Sequence, residues 1–264
     1  MNSDVKIKPS KNKKIFYNKP IKTPAVNKNY KKKRIKKVKN VSVITVTNKE
    51  KYFENIINNY LRQDHKSKEL IIIINKDNIS LENWINKTKK HDTIKIFKIN
   101  EKKSLGFCLN YGVKKAKFSI ISKFDDDDYY GKKYLTQVIN TFNYTGADIV
   151  GKGKYYIYFE GENILAINKG SSQNKFTKHL AGGTISFEKL VFKKVKFKDL
   201  TYGTDQRFLK DCKNNNFRIF SNNKSNYIYV RHKSTNEHTW KMSNKKFLKK
   251  CKILKKSKKL PKID

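Results

Sequence analysis

Residues 41–74 read VSVITVTNKEKYFENIINNYLRQDHKSKELIIII, and this stretch alternates between two kinds of apolar pattern. The β-branched run that opens it suits a strand, and the apolar residues that follow recur at three- and four-residue spacing, as on one face of a helix. The continuous apolar run at residues 70–74 is typical of a parallel strand that is buried on both faces. A strand over residues 94–99, a helical stripe over residues 105–116 and a strand ending at Phe124 repeat the alternation. The sequence therefore predicts an α/β fold with a doubly wound sheet.

Four consecutive aspartates, residues 125–128, follow the last of these strands directly. The chain carries 62 Lys+Arg against 22 Asp+Glu, so this run is its densest negative charge. Carboxylates this close raise one another's pKa unless a bound cation offsets the repulsion, and hard divalent cations prefer oxygen ligands. The run therefore predicts a metal site, and a solvated acidic loop is the alternative.

Loops that follow neighbouring parallel strands meet at one edge of such a sheet, where α/β folds bind ligands. We therefore expect residues 45–48, residues 75–77 and the four aspartates to form one pocket. Thr47 offers a hydroxyl to this pocket, and Asn75 and Asp77 can hydrogen-bond a base or a ribose. Asn and Asp are also common turn residues whatever the function, which is the alternative for that pair.

Both ends of the chain are strongly basic. Residues 1–40 hold 15 Lys+Arg and one acid, and residues 241–264 hold 11 and one, so the ends supply more than half of the net charge of +40. The first segment lacks hydrophobic periodicity, which predicts a disordered basic arm, and the last predicts a basic C-terminal helix or tail. Attachment to polyanions or to an anionic membrane surface is one interpretation of these ends. A compositional bias of the whole chain is the other.

Cysteine usage and hydropathy indicate the compartment. Cys108, Cys212 and Cys251 are widely spaced and form no CxxC pair, which argues against a disulfide framework and against a zinc site. The sequence has neither an apolar run long enough to span a bilayer nor the apolar stretch of a signal peptide. We expect a cytoplasmic protein, with peripheral attachment to a membrane through the basic ends left open. Without an RRM, KH or zinc-finger pattern, no specific nucleic acid is expected.

Three segments together resemble a known family. They read VSVITVTNKEKYFENIINNYLRQ at residues 41–63, ELIIIINKDN at residues 69–78 and SLGFCLNYGVKKAKFSIISKFDDDDYY at residues 104–130. In this order they resemble the opening of the GT-A glycosyltransferases, and within these the inverting family 2. The resemblance is close over residues 41–140, loose over residues 141–240 and absent from both basic ends.

The resemblance implies a Rossmann-like GT-A fold with a mixed central sheet and basic terminal extensions. Residues 41–240 would form the catalytic domain, with a nucleotide-binding half over residues 41–130 and an acceptor half over residues 131–240. It also implies a nucleotide-diphosphate sugar as the donor and Mg²⁺ or Mn²⁺ as the cofactor. The acceptor would be a glycan, a lipid-linked sugar or a protein side chain.

The donor-side residues follow from the same resemblance. Asp125 and Asp127 take the two positions of the family's DxD motif and are predicted to bind the metal, with Asp128 as a neighbour that positions the site. Asn75 stands where the family usually has an aspartate that contacts the base, which leaves the identity of the base open. The other residues predicted to lie beside the nucleotide are Thr45, Thr47, Asp77, Lys103, Asp125 and Asp126.

The acceptor side is assigned to two later segments. Asp205, in YGTDQRFLKDC, lies where the family has an acidic acceptor-side motif, and we predict that it is the catalytic base. A carboxylate that stabilises the start of a helix is the alternative. HLAGGTISF at residues 179–187 resembles the acceptor-site loop, in which Gly182 and Gly183 let the backbone approach a ligand or simply form a turn.

A segment with two histidines is assigned in the same way. RHKSTNEHTW at residues 231–240 resembles a family segment that closes over the diphosphate. His238 is the predicted metal ligand in it. Either His232 or His238 could instead be structural.

The leading interpretation is thus a metal-dependent, inverting glycosyltransferase. A two-metal phosphoryl-transfer enzyme is the competing enzyme class, but it needs further carboxylates on other elements. A polyanion-binding protein whose basic ends carry the function is the non-enzymatic alternative. Removal of residues 1–40 separates these interpretations, because sugar-nucleotide turnover should survive it in the glycosyltransferase.

Overall fold

Four parallel strands form the first half of a large sheet. The computed structural model describes residues 40–169, 173–234, 242–261 and 263. Strands β1 (Val41–Thr47), β2 (Lys68–Ile74), β3 (Ile94–Lys98) and β4 (Ile120–Lys123) lie in the order β3–β2–β1–β4 and pair in parallel. Because β2 and β3 lie on one side of β1 and β4 lies on the other, the carboxyl ends of β1 and β4 flank the switch point at which such sheets bind ligands.

Helices cover both faces of this sheet. α1 (Phe53–Leu61), α2 (Leu81–Thr88) and α4 (Tyr134–Thr145) pack on one face, and α3 (Leu105–Lys115) and α5 (Thr204–Asn214) pack on the other. Successive strand residues point to opposite faces, so in β1 Val43 joins the first core and Ile44 the second. The doubly wound α/β arrangement is therefore confirmed.

The second half of the large sheet mixes strand directions. It contains β6 (Ile149–Gly151), β9 (Lys175–Phe176), β10 (Ser186–Glu188) and β11 (Ile219–Ser221), and the full order is β3–β2–β1–β4–β10–β6–β11–β9. β10 runs antiparallel to both β4 and β6, whereas β11 is parallel to β6. The mixed central sheet is thus confirmed.

A smaller sheet of five strands completes the fold. Its strands are β5 (Tyr129–Tyr130), β7 (Tyr156–Phe159), β8 (Ile164–Asn168), β12 (Tyr227–Arg231) and β13 (Cys251–Lys256), in the order β13–β8–β7–β12–β5. The four aspartates connect β4 of the large sheet to β5 of this one. The acidic run therefore lies where the chain crosses from one sheet to the other.

The C-terminal segment is folded onto the small sheet. Helix α6 (Asn244–Lys249) is followed by β13, which pairs antiparallel with β8. The sequence predicts a helix or tail here, and the structure adds a strand to the helix. Cys251, at the start of β13, packs with Phe247 into a small apolar cluster between helix and sheet. The predicted N-terminal arm lies almost entirely outside the described residues.

Two further observations concern the chain as a whole. Among the described residues, no helix combines the length and the apolar character needed to cross a bilayer. Cys108, Cys212 and Cys251 are free thiols and are buried.

Candidate active site

The acidic run is tied to the carboxyl end of β1. Thr47 ends β1, and its Oγ1 donates a hydrogen bond of 2.6 Å to Oδ2 of Asp126. Asn55 Nδ2, on α1, donates to the backbone oxygens of Asp126 at 2.7 Å and of Asp128 at 3.0 Å. The backbone of the run is therefore fixed against β1 and α1, at the edge of the sheet where the sequence places a pocket.

Asp128 is buried, and both of its hydrogen-bond partners given below belong to the small sheet. It is 1% exposed, and its carboxylate accepts hydrogen bonds from the Tyr227 hydroxyl at 2.5 Å and the Val230 amide at 2.9 Å. Burial, followed by repulsion from Asp127, raises the pKa of Asp128 well above its ordinary value. These two partners on β12 hold the carboxyl against the small sheet, so Asp128 positions the run, as the sequence predicts.

The other three aspartates are more accessible. The side chains of Asp125 and Asp127 are 34% and 15% exposed. Burial and the neighbouring charge of Asp127 raise the pKa of Asp126 to about 7, while the hydrogen bond from Thr47 opposes that rise. Asp125 and Asp127 therefore keep solvent access, and Asp126 is held by Thr47.

Lys123, the last residue of β4, joins the donor and acceptor sides. Its Nζ lies 2.6 Å from Asp125 Oδ1 and 3.1 Å from Asp205 Oδ2. Burial alone would lower the pKa of the Lys123 ammonium, but these two carboxylates raise it above its ordinary value. The structure thus brings Asp125 and Asp205 together around one buried cation, although 80 residues separate them in sequence.

Asp205 occupies the first turn of α5. Gly203 precedes this helix with φ of 71°, a left-handed conformation that favours glycine. Oδ2 of Asp205 faces Lys123, whereas Oδ1 is buried and has no hydrogen-bond partner among the described residues. The side chain as a whole is 21% exposed, so this carboxyl lies at the border of the site.

The two-glycine turn approaches both carboxylates closely. A Cβ atom at Gly182 would lie 2.2 Å from Asp205 Oδ2, and one at Gly183 would lie 2.7 Å from Asp125 Oδ2 and 2.8 Å from Asp128 Oδ2. A side chain at either position would collide with the acidic residues. The glycines are therefore needed for the close approach of this backbone, in addition to forming a turn.

His232 lies beside Asp127. Its Nε2 is 3.3 Å from Asp127 Oδ2 and 3.0 Å from the Tyr52 hydroxyl, and its Nδ1 is 3.1 Å from Glu160 Oε2. Burial lowers the pKa of His232, but Asp127 and then Glu160 outweigh it and raise the pKa above its ordinary value. His238, the predicted metal ligand, lies outside the described residues. Among the described residues, the histidine that lies beside the acidic run is His232.

The predicted nucleotide residues after β2 and β3 form a second cluster. Asn75 Nδ2 donates to the backbone oxygen of Asn100 at 2.9 Å, and the Lys103 amide donates to the same oxygen at 3.0 Å. Asn100 Nδ2 donates to Asp77 Oδ2 at 3.1 Å. The Asn75 amide also donates to the Thr47 backbone oxygen at 2.8 Å. Asn75, Asp77 and Lys103 are thus gathered on Asn100 and linked to the acidic run through Thr47.

Two of the predicted nucleotide residues are buried in β1. Thr45 is 1% exposed and pairs with Ile72 of β2, so its hydroxyl has no surface to offer a nucleotide, and the prediction for Thr45 does not fit this position. Thr47 is 2% exposed, and its hydroxyl is used by Asp126. Thr47 therefore acts on the site through Asp126 instead of facing a ligand.

The carboxylates of Asp125 and Asp127 fit a hard divalent cation whose remaining ligands come from water and from the substrate. No group of three or more His, Cys, Asp or Glu side chains is arranged to hold a metal by itself within the described parts of the chain. Mg²⁺ sites that serve phosphate chemistry commonly use one or two carboxylates, with water and substrate phosphates as the remaining ligands. Two partly exposed carboxylates match that pattern.

Three residues of the site were not singled out by the sequence. Lys123 sits in an apolar segment, and a charged residue at the end of a buried strand is the signal that marks it. Asn100 follows β3 as Asn75 follows β2, so the loops after parallel strands also point to it. Tyr227 carries no such signal, because its contact with Asp128 spans 99 residues of sequence.

The family model of glycosyl transferase family 2 matches residues 42–200. The O-antigen biosynthesis glycosyltransferase WbnJ of Escherichia coli is 32% identical over 196 residues, which cover 66% of this chain and 73% of the relative.

Solved structures share the fold at lower identity. S. aureus TarS 1-349 in complex with UDP-GlcNAc matches with a TM-score of 0.59 and 19% identity, over 80% of this chain and 64% of that one. The mannosyltransferase PcManGT from Pyrobaculum calidifontis, in complex with GDP-Man and Mn²⁺, matches with a TM-score of 0.57 and 14% identity, over 79% of this chain and 60% of its own. This chain therefore spans less than two thirds of either solved chain.

The solved structures agree with the α/β fold described above. Because the family model covers more than half of the chain and the E. coli relative is 32% identical, the chain belongs to glycosyl transferase family 2.

Proposed function

We propose that the protein transfers a sugar from a nucleotide-diphosphate donor to an acceptor hydroxyl, with inversion at the anomeric carbon and Asp205 as the base. The observation that carries this proposal is the position of the Asp205 carboxyl, which is 21% exposed at the border of the site and shares Lys123 with Asp125. The Lys123 Nζ lies 2.6 Å from Asp125 Oδ1 and 3.1 Å from Asp205 Oδ2, so the proposed base lies beside a proposed metal ligand. An acceptor hydroxyl that reaches the exposed part of this carboxylate would present the proton that has to be removed.

The transfer is a single displacement. The acceptor oxygen forms a bond to the anomeric carbon while its proton passes to the Asp205 carboxylate. The bond between that carbon and the diphosphate oxygen breaks, and its electron pair leaves with the nucleoside diphosphate. Because attack comes from the face opposite the leaving group, one such step inverts the anomeric centre.

We further propose that Asp125 and Asp127 hold Mg²⁺ or Mn²⁺ together with the donor diphosphate. A divalent cation there supplies Lewis-acid stabilisation of the charge that develops on the diphosphate. The partial exposure of both carboxylates supports this role, as does Mn²⁺ in the PcManGT complex. His232 lies beside Asp127 and would orient that carboxylate.

The donor nucleotide would lie across the cluster on Asn100. Asn75, Asp77 and Lys103 converge there, and the solved neighbours carry UDP-GlcNAc in one case and GDP-Man in the other. These two ligands share a diphosphate and a sugar and differ in the base. A nucleotide-diphosphate sugar is therefore the proposed donor class, and the relative named for O-antigen biosynthesis favours a glycan among the three acceptor classes.

The phosphoryl-transfer alternative lacks support in the same site. A two-metal mechanism needs a second set of carboxylates around the ions. Asp128 is already committed to Tyr227 and Val230, and Asp205 to Lys123. Among the described residues, no group of three or more His, Cys, Asp or Glu side chains is arranged to hold even one metal ion by itself, so a two-metal site lacks support.

Substitution of Asp205 by Asn tests the proposed base. We expect Asp205→Asn to bind the donor as the wild type does and to transfer sugar about 10²–10⁴-fold more slowly, because general-base catalysis is lost. Donor binding is measured by thermal shift against a panel of nucleotide sugars with Mn²⁺, and transfer by release of the nucleoside diphosphate. Asp211→Asn, on the same helix, is the matched control. Undiminished transfer in Asp205→Asn would remove it as the base.

Substitution of Asp127 by Asn tests the metal site. Donor in hundredfold excess over its Kd should stabilise the wild type by about 2.7 kcal/mol in the presence of Mn²⁺. We expect Asp127→Asn to lose the metal-dependent part of this stabilisation, because a carboxylate ligand is removed. The exposed Asp92→Asn serves as the control. If Asp127→Asn keeps the same response to Mn²⁺, the assignment to the metal is wrong.

A further inference from the structure

We infer that Lys123 is a positioning residue: it fixes the base Asp205 relative to the donor-side Asp125. This inference rests on the proposed function, because it concerns how that base is held. It assigns a role to a lysine that lies between the two halves of the site.

The three hydrogen bonds of Lys123 account for its whole ammonium group. Nζ donates to Asp125 Oδ1 at 2.6 Å, to Asp205 Oδ2 at 3.1 Å and to the backbone oxygen of Gly182 at 3.3 Å. An ammonium has three protons to donate, so each has an acceptor. One acceptor belongs to the acidic run, one to α5 and one to the two-glycine turn.

The lysine is also fixed at its backbone. It ends β4, its amide donates to the Ile185 oxygen at 2.9 Å, and its side chain is 6% exposed. A buried ammonium cannot turn to solvent without losing its hydrogen bonds, which makes it unlike a lysine at the surface. Lys123 therefore holds its three partners from a rigid point of the large sheet.

The consequence for Asp205 is that its two oxygens are no longer equivalent. Oδ2 is occupied by Lys123 and lies against Gly182, where even a Cβ atom would come within 2.2 Å. Oδ1 has no hydrogen-bond partner among the described residues. The orientation of the Asp205 carboxylate in the site is therefore set by the lysine.

The consequence for Asp125 is that the two carboxylates are kept at a fixed separation. Without a cation between them they would repel one another, and the start of α5 would move away from the acidic run. A displacement of about 1 Å in a catalytic group can cost about 10²-fold in rate. Loss of the lysine should therefore act on transfer through the position of Asp205.

A double-mutant cycle tests the inference. We expect Lys123→Met to lower kcat for transfer by about 10²-fold, and Lys123→Met/Asp205→Asn to be no slower than Asp205→Asn alone, because both changes disable one base. Lys117→Met, in the loop between α3 and β4, is the control and should transfer at the wild-type rate. A purely structural lysine would slow the double variant by the product of the two single effects.

The outcomes separate this inference from the proposed function. If Asp205→Asn keeps wild-type turnover, the base itself is wrong. If Asp205→Asn is slow but Lys123→Met is not, or if the two effects multiply, the positioning role is overturned and the base stands. Should Lys123→Met fail to fold, Lys123→Arg retains the charge and moves the donor atoms, and the same cycle with Asp205→Asn applies to it.

A second readout distinguishes positioning from general damage. Donor affinity with Mn²⁺, measured by titration calorimetry, should change less in Lys123→Met than kcat does, because Asp125 and Asp127 both remain to hold the cation while Asp205 loses the contact that fixes it. Hydrolysis of the donor by water should rise relative to transfer, because water does not need the acceptor to be aligned with the base. Equal loss of donor binding, hydrolysis and transfer would contradict the inference.

Discussion

The four aspartates of the acidic run are the same residue type in four different environments. Asp128 is satisfied by the small sheet, Asp126 by Thr47 and Asp125 by Lys123, while Asp127 has His232 as its neighbour. Charge alone therefore does not decide their roles. What differs is which oxygen atoms are already committed, and Asp125 and Asp127 keep the most solvent access.

Gly182 permits a prediction at the same scale. Its φ lies outside the left-handed range, so the backbone tolerates alanine, but the new Cβ would come within 2.2 Å of Asp205 Oδ2. We expect Gly182→Ala to push Asp205 from its place and to reduce transfer by about 10²-fold while donor affinity is kept. Transfer and donor binding are measured as for the Asp205 variant.

Gly161→Ala is the matched control for this change. A Cβ at Gly161 would meet the flexible Lys233 side chain at 3.1 Å, and the neighbouring Glu160 contacts His232 instead of Asp205. It should leave transfer unchanged. If Gly182→Ala transfers as fast as Gly161→Ala, the close contact of this turn with Asp205 has no catalytic consequence.

At the scale of elements, the long periodic segments could be predicted and the short ones could not. β1, α1, β2 and α3 each carry a pattern that their own residues supply, and the structure has them within a few residues of the predicted bounds. Local periodicity was sufficient in each case because these elements bury a regular face.

The small sheet shows why the remainder could not be predicted. β5 has two residues, and its partner β12 lies almost 100 residues later, so neither pattern nor spacing indicates their pairing. The same long separation hides the contacts of Asp128 with Tyr227 and of Lys123 with Asp205. Sequence patterns found the acidic residues, but the groups that hold them come from distant elements.

At the scale of the molecule, the chain crosses between the two sheets at several points, and three of these crossings carry polar side chains. The first crossing carries the acidic run between β4 and β5. The crossing from β6 to β7 carries Lys152, and that from β11 to β12 carries Asn222 and Asn223. Lys152 Nζ donates to Asn222 Oδ1 at 3.1 Å and to the Asn223 backbone oxygen at 2.8 Å. This lysine therefore ties two crossings together behind the site.

The environment of Lys152 makes the stability of the whole fold depend on pH. The residue is fully buried, and burial lowers its pKa from an ordinary 10.5 to about 7. Between these values the unfolded chain binds a proton that the folded chain does not, so the free energy of unfolding rises as pH rises from about 7 towards 10.5. The contribution of this residue approaches about 1.4 kcal/mol per pH unit.

Urea unfolding measures this contribution. It is carried out on the wild type and on Lys152→Met at several pH values between neutral and mildly alkaline. Methionine keeps the length of the side chain and cannot titrate, and the oxygens that it leaves without a donor cost the same at every pH. The difference in free energy of unfolding, wild type minus variant, should therefore increase with pH by on the order of 1 kcal/mol per unit. Lys178→Met, at an exposed position, controls for the loss of one positive charge.

A difference in free energy of unfolding that stays constant over this pH range would contradict the prediction. It would show that the buried amine keeps its proton in the folded protein, and that its hydrogen bonds to the two crossings offset the cost of burying the charge.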